Sequence, residues 1–167
     1  GQRCNISPNL IFGLGHSTFA IELGHDLWAP VPPSAYHVLQ GAHFIVNLSA
    51  DKEILMREEY RRALLREHTA KTICGYVYAS AGFGESTRDN VYAGAASIWE
   101  NGLLLAENER YQTDSSMIIA DIDIEKIENL RKGASIFSAI SPAGTRASSY
   151  YMLYDRRSLG DAAKTDF

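Results

Sequence analysis

Cysteine is nearly absent, with only Cys4 and Cys74 in 167 residues. Two are too few for a disulfide framework, and neither has the CxxC partner expected of a structural zinc site. No apolar run approaches the roughly 20 residues that span a bilayer, and the first residues lack the basic, apolar and small-residue succession of a signal peptide. Cations are not in excess: 16 Lys and Arg face 20 Asp and Glu, giving a formal charge of −4 and a pI of about 5.7. No stripe of Lys or Arg is interleaved with aromatics, so a phosphate backbone finds no field to follow. Nucleic acid and membrane are disfavoured as partners, and the low cysteine use fits a reducing cytoplasm. There is no internal repeat and no low-complexity block.

An apolar content of 46% with 22% charged residues suffices for one domain with a real core. The organising stretch is FAIELGHDLWAPVPPS, residues 19–34. Phe19, Ile21 and Leu23 alternate with smaller or polar residues, as a half-buried strand does. Gly24, His25 and Asp26 stand at its carboxyl end, where α/β folds collect reactive groups. Prolines 30, 32 and 33 then stop the strand, because each lacks the amide donor a ladder needs. Ser34 reads as the N-cap of a short helix, Ala35 to Gln40, closed by Gly41.

Upstream, Leu10 to Gly13 begins a first strand that turns back near Gly15 as a hairpin. Ala42 to Leu48 is a nearly continuous apolar run, as expected of a strand covered on both faces. Residues 53–73 give the longest helix, with Met56, Tyr60, Ala63, Leu64 and Ala70 on one face; Glu67 falls at that stripe, either at its margin or as a functional group. Tyr76 to Ala81 is another buried strand, followed by the glycine-rich turn GFGES. Asn101–Gly102, between alternating runs, is a strong hairpin signal. Met117 to Ile122 reads as a strand, Ile124 to Lys132 as a helix stopped by Gly133, and residues 138–167 as a linker or C-terminal extension to a body formed by 1–137.

Taken in order, FAIELGHDLWAPVPPS, GAHFIVNLSAD, CGYVYASAGFGESTRDNVYAG and WENGLLLAENERY resemble the glutamine-hydrolysing domain of glutamine-dependent NAD synthetase, in the nitrilase (carbon–nitrogen hydrolase) superfamily. The resemblance covers roughly residues 10–130. It implies an α/β (α+β) chain forming part of an α-β-β-α sandwich, in which a cysteine attacks the glutamine amide, a glutamate acts as base and a lysine supports the oxyanion. The ammonia released would pass to a separate synthetase domain, which uses ATP and Mg; this chain is expected to carry no cofactor of its own.

By that resemblance Gly24 occupies the nucleophile position and His25 the next, so the thiol is absent. The family's base and lysine lie upstream of anything matched here, and no SGGxDS-like pyrophosphate loop occurs. The chain is therefore expected to be the later portion of one domain, inactive alone, or alternatively a nitrilase-like assembly or binding module without catalysis. Substrate contacts are carried over to His25, Arg57, Ser80 and Ser86, with glutamine as substrate. Read from the residues alone, His25 and Asp26 shape the turn and Arg57 stands exposed at a helix start. Cys74 begins a buried strand and reads as a small hydrophobe rather than a nucleophile, and the scattered histidines do not have metal-ligand spacing. A missing upstream half would leave strand edges and sheet faces seeking a second copy or a companion chain.

Overall fold

The computed structural model describes residues 7–85, 89–139 and, as backbone, 149–154. Leu10–Leu14 (β1) and Ser17–Leu23 (β2) form the expected hairpin about Gly15, whose φ of +61° suits a tight turn. β2 ends in a single 3-10 turn, Gly24–Trp28, before the prolines and a short helix, Pro33–Leu39 (α1). Then come Phe44–Ser49 (β3), Arg57–Thr72 (α2), Gly75–Ser80 (β4), Ala96–Glu100 (β5), Leu103–Glu107 (β6), Ile124–Gly133 (α3), Ser135–Ala139 (α4) and Ser149–Tyr154 (β7). Asn101 and Gly102 take the positive φ values, +44° and +82°, that a tight β5–β6 hairpin requires.

The strands form one sheet in the order β6-β5-β4-β3-β2-β1-β7. Its centre is parallel: Leu23 of β2 lies beside Leu48 of β3, which lies beside Ala79 of β4. Antiparallel hairpins flank this βαβ core, making a mixed α+β sheet. Three neighbouring strands thus stop along one edge, and the chain leaves them at Gly24, Ala50 and Ala81. At the opposite end α3 closes the sheet, because the Arg131 guanidinium donates to the carbonyls of Ile73 and Ala42 at 2.9 Å each.

Register separates the two faces. Ile11, Ala20, Glu22, Ile45, Asn47, Tyr76, Tyr78 and Trp99 point to one side and are all buried. Helices α1 and α2 cover that side: Ser34 reaches Glu22, and the His68 ring meets Tyr76 edge-on. The other side carries Phe12, Phe19, Ile21, Leu23, Phe44, Val46, Leu48 and Val77. Phe12, Phe19 and Phe44 stack at centroid spacings of 5.3 Å, yet Leu23 and Leu48 remain 61% and 53% exposed. Each such side chain left in water forgoes about 1.5–3 kcal/mol of burial. Among the described residues no second layer covers this end of the face.

Several elements depart from the pattern reading. α2 starts at Arg57 rather than 53, because Met56 takes a left-handed φ of +66°. Its inward side is Arg61, Leu65, His68, Thr69 and Thr72, not the apolar stripe, and Tyr60 of that stripe is 64% exposed. The polar side can face the sheet because its hydrogen-bonding groups are partnered there: the Thr69 and Thr72 hydroxyls donate to the carbonyls of Leu65 and His68 at 2.7 Å, and Arg61 donates to Glu53 at 2.8 Å. Glu67 lies on the exposed surface, paired with Lys71 one turn on at 3.1 Å. Ser34 is not a cap; Pro32 holds that position, and Pro33, whose missing amide costs nothing in a first turn, opens α1. Met117 to Ile122 joins no sheet. Ile122 packs instead against bare Gly75, its Cδ1 3.0 Å from where a Cβ on that glycine would sit. β7, within the stretch read as linker or extension, pairs parallel with β1.

Two histidines are built in as neutral rings. His43 Nδ1 accepts from the Thr18 amide at 3.0 Å, which leaves Nε2 to carry the proton 3.3 Å from Glu128. Burial, then Arg131, lowers its pKa below 6.5 against the pull of Glu128. Burial also lowers that of His68, aided by Lys71 and opposed by Glu22 and Glu67. A base with a depressed folded pKa gives stability that is complete above its unfolded value and is lost as pH falls through the folded one. The expected outcome is a urea midpoint that falls steadily below pH 6.5, the value both rings start from. A midpoint flat down to about pH 5 would contradict it.

Candidate active site at the strand ends

Gly24 is the first residue beyond β2, and its φ of +54° is the left-handed conformation that turns the chain out of the sheet. Nothing lies within 4 Å of where its Cβ would be, so the position faces open space. Asp26 returns a carboxylate oxygen to the Leu23 amide at 3.1 Å, and Leu27, 2% exposed, anchors the turn in the core. His25 is exposed. Asp26 thus shapes the turn, as its residue type suggested.

The turn ends on Trp28, and the Arg57 guanidinium carbon lies 3.4 Å from the centroid of that ring. The same guanidinium grips Asp51, with Nε at 3.1 and 3.0 Å from the two carboxylate oxygens and Nη2 at 2.8 Å from Oδ1. The Asp51 amide donates to the Ser80 hydroxyl at 3.3 Å. The β2 turn, the segment after β3 and the end of β4 are therefore joined through Trp28, Arg57, Asp51 and Ser80. Of the carried-over positions, Arg57 and Ser80 meet through Asp51, Gly24 belongs to the turn that presents Trp28, and Ser86 lies outside the described residues. Beside Ser80 a cleft of about 330 Å³ opens, lined also by Gly82, Phe83, Gly94 and Asn108.

Beneath this edge lies a buried polar cluster. Glu22, 1% exposed, accepts from the Ser34 amide and from the Tyr76 hydroxyl at 2.6 Å each. Asn47 donates to that hydroxyl at 3.0 Å, and the Ser34 hydroxyl meets His68 Nε2 at 2.8 Å. Burial, then the Glu22 carboxylate, pushes the Tyr76 phenol well above its ordinary value. One carboxylate thus ties the strand that delivers Gly24 to α1, β3, β4 and α2. The sequence did not mark Glu22 as buried: the alternation set Phe19, Ile21 and Leu23 against the smaller or polar residues of β2, yet Ile21 and Leu23 are exposed and Ala20 and Glu22 are the buried pair; Asp51 and Trp28, in segments without periodicity, carried no signal either.

Cys74 immediately precedes β4 at the far end of the sheet, fully buried, with its thiol pushed up to about 11 by burial. At neutral pH it is protonated and inaccessible, a core hydrophobe. Cys4 lies outside the described residues. Among the described residues no three His, Cys, Asp or Glu side chains gather as metal ligands, and no helix is long and apolar enough to cross a membrane.

No family model matches the chain. A glutamine-dependent NAD(+) synthetase of Mycobacterium leprae is 40% identical to it over 136 residues, covering 78% of this chain and 20% of the relative. One from Mycobacterium tuberculosis is 44% identical over 115 residues, 68% of this chain and 17% of that protein. The chain belongs to the family of the glutamine-dependent NAD synthetases. It spans about a fifth of the length of these relatives. The fold agrees: a solved carbon–nitrogen hydrolase from Helicobacter pylori superposes with a TM-score of 0.63 at 15% identity, covering 77% of this chain and 47% of that one. That carbon–nitrogen hydrolase thus has about twice the length that this chain accounts for.

Proposed function

We propose that this chain is the later part of the glutamine-hydrolysing, ammonia-supplying domain of a glutamine-dependent NAD synthetase, and that alone it does not hydrolyse glutamine. The observation that carries the reading is Gly24. It lies at the end of a central parallel strand, in the turn whose Trp28 ring meets Arg57, and offers no side chain to attack an amide. Cys74, the thiol among the described residues, is sealed in the core. Losing a nucleophile costs several orders of magnitude in rate. By the family resemblance the substrate contacts fall on His25, Arg57, Ser80 and Ser86, with Arg57 open to a ligand carboxylate only when released from Asp51; ATP and Mg belong to the synthetase part and not to these residues. The expected outcome is no ammonia release from glutamine above a heat-treated control. Release that a thiol-directed reagent abolishes would overturn the proposal.

A second reading is favoured by the uncovered sheet face with Leu23 and Leu48 in water. In it the chain is a nitrilase-like assembly or binding module without catalysis. The two readings part when a companion chain carrying the complementary sheet is supplied. Glutamine hydrolysis by the companion paired with Gly24→Cys supports the first, and association of that pair without hydrolysis supports the second.

A further inference from the structure

The arginine at the strand ends is already occupied. Arg57 places three guanidinium contacts on Asp51, whose side chain is 1% exposed, while its own is 19% exposed and lies flat on Trp28. Arg61 adds its Nη1 at 3.6 Å from the other Asp51 oxygen and its Nη2 at 2.8 Å from Glu53. The pattern continues outward. Arg110 lies 3.8 Å from Glu53 and pairs with Glu58; Arg62 lies 3.1 Å from Glu58 and pairs with Glu107. Arg57, Arg61, Arg62 and Arg110 are thus balanced one for one by Asp51, Glu53, Glu58 and Glu107, and the row leaves no net positive charge at the edge.

We propose that Asp51 is a specificity-determining residue: by holding the Arg57 guanidinium in a buried bidentate pair, it keeps this edge from anchoring a free carboxylate. An arginine recognises a ligand carboxylate with the same planar fork that it gives to Asp51, so the two compete for one surface. The competition is unequal. Asp51 is tethered six residues away, desolvated and held by the hydrogen bond its backbone amide donates to the Ser80 hydroxyl, whereas a dissolved carboxylate must lose its translational freedom and its hydration. This inference rests on the glutamine-site reading for the identity of the natural ligand, but its chemistry concerns any carboxylate.

The test therefore uses two probes, acetate and glutamine, on the full chain. Binding is read by NMR from the Arg57 Nε–H resonance, assigned with Arg57→Lys, and in every variant from the indole N–H of Trp28, the ring beneath that guanidinium. In the unaltered chain neither probe is expected to shift either resonance. In Asp51→Asn, acetate affinity should rise by about tenfold to a hundredfold, the range of one charge-assisted fork, and should disappear again in Asp51→Asn with Arg57→Ala. Acetate and glutamine both gaining affinity supports the lock and the glutamine site together. Acetate gaining while glutamine does not supports the lock and counts against glutamine as ligand. Asp51→Asn that keeps its circular dichroism yet gains neither probe overturns the proposal. So does a shift of the Arg57 resonance by acetate in the unaltered chain, a result that needs no variant to fold.

Discussion

Replacing Gly24 with cysteine is expected to create a thiol that reacts freely with iodoacetamide and hydrolyses no glutamine. The site has room: nothing lies within 4 Å of the added Cβ. It has a backbone cost, since φ is +54° there and an L side chain in the left-handed region loses about 1–2 kcal/mol. A thiol alone is a poor catalyst. Without a neighbouring base to generate thiolate or a cation to support the oxyanion, it lacks most of the activation that amide cleavage requires. Asp51 has taken the guanidinium nearest the turn, and the chain supplies no matched base. With Cys4 replaced by Ser, the new thiol should be alkylated at least about a hundredfold faster than Cys74, whose pKa of about 11 and full burial protect it. Equal rates for the two, or turnover of glutamine by Gly24→Cys, would contradict the placement of residue 24.

Glu22→Ala is expected to be the most damaging single change to stability, at about 3–5 kcal/mol, because it strips a partner from two short buried hydrogen bonds. The Ser34 amide would face a cavity, and the Tyr76 hydroxyl would keep only Asn47. Glu22→Gln should cost less, about 1–2 kcal/mol, since the amide oxygen still accepts one bond. Urea unfolding of both variants measures the difference. A cost below about 1 kcal/mol for Glu22→Ala would mean that the cluster does not hold α1 against β2.

Much of the fold was legible because local chemistry and tertiary context agree there. Alternation gave β2, the Asn101–Gly102 dipeptide gave the β5–β6 hairpin, and Gly24 was read correctly as the end of a strand. Where context overrides propensity the reading failed. α2 turns Tyr60 and Ala63 outward because Arg61 and His68 meet Glu53 and Ser34 while the Thr69 and Thr72 hydroxyls bond back to the helix's own carbonyls, which no hydrophobic periodicity reveals. Met117 to Ile122 has strand-like residues but finds no ladder and serves to cover Gly75. The Asp51–Arg57 pair spans the irregular stretch that leads into α2, so six residues of sequence gave no hint that the two side chains close on each other over Trp28.

The proposed function makes this chain one side of a two-sheet sandwich, so its uncovered sheet face should seek a second layer. Ile21, Leu23 and Leu48 on one face, with Tyr60 and Met56 on the outward side of α2, are each between 39% and 64% exposed. Light scattering on the purified chain at micromolar concentration tests this directly. The purified chain is expected at a mass of at least twice 18.5 kDa; a stable monomer at 18.5 kDa that binds no hydrophobic dye would contradict this.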